Sequence, residues 1–247
     1  MSSSLASSDD PARPLLSVVM PAYNEADNIA AAIADIREHV FGVVARSELV
    51  VIDDGSRDET AAIVRELAAA DPRIRLLTQA NAGHGPALVR GLREARADRC
   101  LLLDSDRQIG LQDFGHTWKL ADGHDAVLGV RWKRCDPWHR LLLTKLLRAW
   151  LSALVGVHAR DANVPYKLVR RDIAMRALAM MPAKPAIPSV LLTVFLHLRE
   201  YRIAEQPVEH FARTAGQPSL RLARLTVFCR GALQELMQFH KALNSRS

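Results

Sequence analysis

The stretch Leu101-Leu102-Leu103-Asp104-Ser105-Asp106-Arg107-Gln108 sets two carboxylates one residue apart at the end of an apolar run. Like charges that close repel each other. A cation shared between them turns that cost into a binding site, because hard ions such as Mg2+ and Mn2+ favour oxygen ligands. The plainer alternative is a polar turn closing a strand. Three further polar clusters follow short apolar runs: Pro21-Ala22-Tyr23-Asn24-Glu25, Asp53-Asp54-Gly55-Ser56 and Asn81-Ala82-Gly83-His84-Gly85.

To act together, these clusters need elements that bring them to one place. Residues 15–23, 47–56, 73–80 and 99–106 read as strands. Helical patterns separate them, the first with Ile29, Ile33, Ile36 and Val40 on one face and the second starting near Asp58 or Glu59. Strands that are apolar on both sides and alternate with helices predict an α/β fold, a mostly parallel, Rossmann-like sheet with helices on both faces. Ligands of such sheets bind beyond the strands' carboxyl ends, and all four clusters fall there on one edge. After residue 107 the rhythm breaks. A short helix over 111–122, a strand over 125–132, a cationic helix over 138–156 and a strand over 164–171 are expected, then helices over 172–181 and 189–200 and a strand over 201–210. An amphipathic helix from 219 to 243 carries Arg221, Arg224, Arg230 and Lys241. No repeat or linker is apparent, so one domain over 15–247 is expected behind a tail, 1–14, with almost nothing to bury.

With 247 residues, 49% hydrophobic and 24% charged, the chain can bury a full core. Cys100, Cys135 and Cys229 are odd in number and far apart, which excludes a disulfide framework and a zinc spacing. With no secretory signal at the start, a reducing, cytoplasmic protein is expected. A net charge of +6 favours an anionic partner. Only 5% of residues are aromatic and no recognition motif is present, which argues against nucleic acid. No run is long enough to span a bilayer; 141–157 is interrupted by Lys145 and Arg148.

In order and spacing, "SVVMPAYNEADNI", "VVIDDGSRDET", "NAGHGPALVRGL", "LLLDSDRQ" and "VLGVR" resemble family 2 glycosyltransferases of the GT-A fold, in particular the dolichol- and polyprenyl-phosphate sugar transferases. The likeness covers roughly 15–225. It implies metal-dependent, inverting transfer of a sugar from a nucleoside diphosphate, a nucleotide-sugar donor, to an acceptor. Breaking the donor bond leaves negative charge on the diphosphate, which calls for a cation and basic groups. The resemblance makes Asp104, Asp106 and Gln108 the surroundings of Mg2+ or Mn2+, with Asp106 the firmest ligand and Asp104 either completing the shell or touching the ribose. Diphosphate oxygens supply the remaining ligands, so few are needed from the protein. Pro21, Tyr23 and Glu25 resemble the nucleoside pocket, while Asn24 is also placed to cap the next helix. Of Asp53 and Asp54, one, preferably Asp54, is expected to read the base edge; the alternative is an Asp-Gly turn. Gly83 shapes a turn into a helix, and His84 stands where many relatives have lysine. Arg131 matches a phosphate-facing arginine, and Arg213 and Ser219 resemble a stretch that closes over the diphosphate, work suited to a guanidinium fork.

The acceptor side departs from the family. Asp161 is kept, but Asn163-Val164-Pro165-Tyr166-Lys167 replaces a Ser-Gly-Phe-Arg run. Asp161 is the catalytic carboxylate the resemblance offers, alongside Asp106 and Arg131; its other reading is an ion pair with Arg160 or a helix-end cap. Polyprenyl phosphate is the first acceptor, a soluble hydroxyl (saccharide, peptide or natural product) the alternative, and a non-catalytic nucleotide-sugar binder the third reading. Sugar nucleotidyltransferases open with a Gly-rich loop that "PAYNEADN" lacks. Haloacid-dehalogenase-type phosphatases carry Asp-x-Asp on the first strand, not the fourth. Finally, Trp138, Leu142, Leu146 and Trp150 fall four apart, with Arg140, Lys145 and Arg148 elsewhere around the helix. That is the pattern of a helix lying on anionic lipid, here at the inner membrane face, or of a core helix with a basic outer side.

Overall fold

The computed structural model describes residues 13–132, 145–212 and 225–245. Among these, seven strands form one sheet: β1 Leu16–Ala22, β2 Ser47–Asp53, β3 Ile74–Thr78, β4 Arg99–Leu103, β5 Ala126–Trp132, β6 Tyr166–Arg170 and β7 Ile203–Glu209. Their order is β3-β2-β1-β4-β6-β5-β7. The first four are mutually parallel, and β7 is parallel to β5. The sheet is therefore mostly parallel, as expected, but mixed, since β6 runs against both β4 and β5. That reversal matters for the site. It turns the amino-terminal end of β6 to the edge where β1, β2, β4 and β5 present their carboxyl ends.

The helices are α1 Ala26–Asp35, which continues through a wider π-helical turn Ile36–Phe41, α2 Thr60–Ala70, α3 His84–Glu94, α4 Phe114–Ala121, α5 Arg171–Leu178, α6 Pro188–Leu198 and α7 Leu225–Asn244. Alternate residues of a strand face opposite sides, and here both sides are apolar. Leu16, Val18 and Met20 meet Ile29, Ile33, Ile36 and Val40 of the first helix, with Val64 and Phe114 completing that core. Val19, Val50, Ile52 and Leu102 face the other way, onto α3, α5, α6 and α7. Each fully buried Leu, Ile or Val contributes about 1.5–3 kcal/mol, so the two cores hold the sheet flat against its helices. α7 seats itself on the second core through Leu236, Phe239 and Leu243, spaced three and four apart.

Residues 145–150 are helical and run into a π-helical turn, Leu151–Val155. Leu147, Leu151 and Val155 face the core. Leu146 and Leu154 point outward, 42% and 44% exposed, with Trp150 half-buried between them. Of the expected apolar stripe, Leu146 and Trp150 therefore lie on the outer side, and Trp138, Arg140 and Leu142 lie outside the described residues. Arg221 and Arg224 do too. Among the described residues no helix is long and apolar enough to cross a membrane.

Candidate functional site

β4 ends at Leu103, three residues short of the expected strand, so Asp104–Asp106 form a turn and their carboxylates leave the sheet. Arg107 then adopts φ +57°, a conformation uncommon for a residue with a side chain. Its guanidinium pairs with Asp35 of α1 at 2.8 Å, which helps to hold it there. The Gln108 amide donates to Asp106 Oδ1 (3.2 Å), fixing that carboxylate within its own turn. The Gln108 side chain instead turns to the Phe211 carbonyl (3.4 Å), and Phe211 N–H donates back to the Gln108 carbonyl (2.9 Å). Gln108 thus ties the metal-candidate turn to the end of β7 rather than closing a cage around the carboxylates.

Among the described residues no three His, Cys, Asp or Glu side chains stand close enough to enclose a metal. The donor set, Asp104 and Asp106 with oxygen ligands only, fits a hard ion that takes its remaining ligands from a bound phosphate. His84, at the start of α3, places Nε2 3.0 Å from Asp104 Oδ1, with its ring 55% exposed. Desolvation opposes charging the ring, but the carboxylates of Asp104, Asp106 and Asp54 outweigh it, so its pKa is raised. The neighbouring carboxylates thus favour the protonated form of His84 at the start of α3.

The loops after β1 and β2 are stitched together. Asn24, at φ +53°, donates its N–H to Ser56 Oγ (3.0 Å) and accepts from Arg57 N–H through Oδ1 (2.8 Å). It does not cap α1. Asp58 from the neighbouring loop does, accepting the Ala26 N–H at 3.1 Å, and the same carboxylate accepts the Thr60 hydroxyl and amide. Burial works against the Asp58 anion, yet these bonds win and lower its pKa. Glu25 N–H donates to Thr60 Oγ1 (2.8 Å), and its buried carboxylate accepts from Asn28 (2.8 Å). Pro21 is buried in β1 opposite Ile52, whereas Tyr23 stands 41% exposed at the mouth. Asp53 accepts the Ser56 amide at 3.2 Å, forming the Asp-Gly turn.

Asp54, expected to read the base edge, is engaged by donors of the protein itself. Its buried carboxylate accepts from Gln79 Nε2 (2.7 Å), Ala82 N–H (2.9 Å) and Gly83 N–H (2.8 Å). With three donors on two oxygens, it shapes the loop between β3 and α3. Gly83 there has φ +98°, as only glycine readily does, and a Cβ on Gly85 would lie 1.9 Å from the Pro185 carbonyl oxygen. The loop is thus pressed against the segment leading into α6.

At the other end of the edge, Arg131 does not project freely towards a phosphate. Its Nε and Nη2 donate to Asp161 at 2.7 and 2.9 Å, and both side chains are nearly buried, at 10% and 4% exposed. Asp161 was expected to pair with Arg160 if it was structural. Its partner is instead Arg131, thirty residues away, because β6 is reversed; Arg160 pairs with Glu205 (3.3 Å). A separate open cleft of about 350 Å³ is lined by Lys145, Arg148, Ser152 and His158, with Ser152 Oγ 3.1 Å from His158 Nδ1. Arg213 and Ser219 lie outside the described residues. Sequence reasoning missed Lys167, fully buried in β6, although a lysine inside an otherwise apolar strand was a visible signal.

Residues 17–175 match the family model described as glycosyl transferase family 2. Undecaprenyl-phosphate 4-deoxy-4-formamido-L-arabinose transferase of Aeromonas hydrophila subsp. hydrophila is 28% identical over 214 residues, covering 85% of this chain and 64% of its own length. The protein of the same name from Pseudomonas savastanoi pv. phaseolicola is 27% identical over 198 residues, covering 79% and 59%. The chain thus spans less than two thirds of these relatives. Glucosyl-3-phosphoglycerate synthase of Mycobacterium tuberculosis, solved with Mn2+, UDP and glucosyl-3-phosphoglycerate, superposes with a TM-score of 0.69 at 23% identity, covering 93% of this chain and 80% of that one. This is a likeness of fold.

Proposed function

Because the chain belongs to glycosyl transferase family 2, we propose that it moves a sugar from a nucleoside diphosphate to a polyprenyl phosphate, with inversion at the anomeric carbon. One observation carries this reading. Tyr23, Glu25, Asp53, Asp104 and Asp106 converge at the ends of β1, β2 and β4, on the edge that also holds the Arg131–Asp161 pair. Tyr23, Glu25 and Asp53, with Pro21 behind them, form the nucleoside pocket. Asp54 serves that pocket indirectly, by holding the loop that carries Gly83 and His84. Asp104 and Asp106 hold Mg2+ or Mn2+, which when bound supplies positive charge to the diphosphate. Gln108 steadies Asp106 through its backbone, and Arg213 closes over the diphosphate.

In the transfer, an oxygen of the acceptor phosphate attacks the anomeric carbon from the face opposite the diphosphate. The new C–O bond forms as the bond to the diphosphate breaks, and the electron pair departs with the diphosphate. A phosphate monoester, with a second pKa of about 6, is already mostly dianionic at pH 7 and needs no base. Asp161 then acts through geometry, holding the Arg131 fork beside the reacting groups. The basic cleft of Lys145 and Arg148 supports an anionic acceptor, and the outward Leu146 and Leu154 support contact with a lipid surface, the chain being peripheral at the cytoplasmic membrane face. The undecaprenyl-phosphate transferases among the relatives point the same way. Residues 15–247 act as one domain in this reading.

The test is transfer from a panel of nucleotide-sugars to undecaprenyl phosphate in liposomes, with Mg2+ or Mn2+. Donors are chosen by thermal stabilisation of the protein. Labelled sugar on the lipid supports the reading; transfer to soluble hydroxyls alone refutes it.

A further inference from the structure

β6 puts a lysine where the sheet otherwise carries apolar side chains. Lys167 is fully buried, with Leu102 of β4 and Leu128 of β5 beside it in the ladder. Leu102, Leu128 and Val169 on that face all belong to the apolar core. An amine there is costly unless hydrogen-bonded. Its Nζ finds three oxygens: Val164 O at 2.6 Å, Ser189 Oγ at 2.6 Å and Ala162 O at 3.1 Å. Two of these belong to the backbone of the turn that follows Asp161, and the third stands in the first turn of α6. Thr193 Oγ1, one helical turn on, donates to the same Ala162 carbonyl at 3.2 Å. A buried polar knot centred on Lys167 therefore fastens the 161–164 turn to α6.

We propose that Lys167 is a positioning residue for the acceptor end of the site, fixing the turn from which Asp161 grips the Arg131 guanidinium. This deepens the transferase reading and rests on it. The knot tolerates either state of the amine. The ammonium donates to all three oxygens, while the neutral amine donates to the two carbonyls and accepts from the Ser189 hydroxyl. Burial brings the Lys167 pKa down to about 7, with Asp161 and Asp104 favouring the charge and Arg131 opposing it. The positioning accordingly holds across the neutral range.

The test compares wild type with Lys167→Met and Ser189→Ala, using the full chain, the nucleotide-sugar chosen above and undecaprenyl phosphate in liposomes. A misplacement of about 1 Å can cost up to 10²-fold, so Lys167→Met is expected to raise acceptor KM and lower kcat by about tenfold or more. Nucleoside diphosphate affinity, measured by calorimetry, stays unchanged, and the defect is the same at pH 6.5 and pH 8. Ser189→Ala shifts the same parameters less, and the double variant is no worse than Lys167→Met, since the two act through one knot. Should Lys167→Met fail to fold, Ser189→Ala carries the test. Unchanged acceptor KM and kcat in a folded variant, or a parallel loss of donor affinity, overturns the assignment. A wild-type protein that transfers nothing to the lipid phosphate overturns the transferase reading beneath it, whereas active wild type with unaffected variants overturns the role of Lys167 alone.

Discussion

Asp161→Asn separates a base from a brace. The Asp161 and Arg131 side chains are 4% and 10% exposed and joined by two bonds of 2.7 and 2.9 Å, so the substitution removes the Asp161 charge from beside a buried guanidinium. Removing one partner of such a pair costs about 3–5 kcal/mol. In a chain of this size each kcal/mol lowers Tm by about 2–4 °C, giving a drop of about 6–20 °C. Replacing both residues, Asp161→Asn with Arg131→Met, removes the guanidinium charge as well and is expected to recover part of that loss, a non-additivity that a double-mutant cycle reads directly. Thermal unfolding checks the stability arm. The kinetic arm uses the same variant below its transition, with nucleoside diphosphate binding as a control. If the acceptor is a phosphate, turnover falls by no more than about tenfold, through geometry. If it is a hydroxyl, losing its base removes about 10²–10⁴-fold. An unchanged Tm would refute the bracing role, and near-complete loss of turnover with intact donor binding would move the acceptor to a hydroxyl.

Asp106→Asn is expected to keep the fold and lose on the order of 10²-fold or more in transfer, with chelation abolishing it; full activity in excess chelator removes the metal from the site. Asp54→Ala strands the Ala82 and Gly83 amides, at about 1–3 kcal/mol each, and weakens nucleoside diphosphate binding. Hydrogen exchange at those two amides, unchanged from wild type, would contradict the loop-holding role. Away from the site, the Arg73 side chain, against some burial, brings the Asp71 carboxyl down from 3.8 to about 2, with Arg37 adding to the effect. A depressed carboxylate stabilises the fold fully above its ordinary pKa and loses that contribution as pH falls through the folded value. The stability gap between wild type and Asp71→Asn, measured by urea unfolding, should therefore be widest near pH 6 and narrow between pH 4 and pH 2.

The convergence of the polar turns after β1 to β4 was legible because its signals are local. A strand, a polar turn and a helix follow one another within some fifteen residues, and parallel strands bring every such turn to the same edge. Of the four-residue steps expected in the cationic helix only Leu146 and Trp150 lie within the described residues, and which stripe faces out there depends on what Leu147, Leu151 and Val155 pack against. Tertiary pairing was the part that could not be read. Nothing local to Asp54 shows that its carboxylate also holds the Ala82 and Gly83 amides, which lie 28 and 29 residues away. Asp161 stands next to Arg160, and only the reversal of β6 hands it to Arg131 instead.

In the proposed transfer, that reversal lets one edge serve two substrates. A parallel β6 would send its amino-terminal turn, and Asp161 with it, to the opposite side of the sheet from Asp104 and Asp106. Running antiparallel, it sets the proposed acceptor turn on the same edge as the proposed donor turns, and α6 becomes the element both sides touch. The segment leading into α6 leaves no room for a side chain at Gly85 in the first turn of α3, and Ser189 in its own first turn meets Lys167 under the 161–164 turn. The segment just before α6 is tied to α7 by Glu235, whose carboxylate accepts from the Ala186 and Ile187 amides at 2.8 and 3.4 Å. A shift of α6 would therefore disturb both turns together. Glu235→Ala releases that tie without touching either turn, so it is expected to impair donor binding and acceptor KM in parallel, unlike Lys167→Met. A defect confined to one substrate would show that the two ends are held independently.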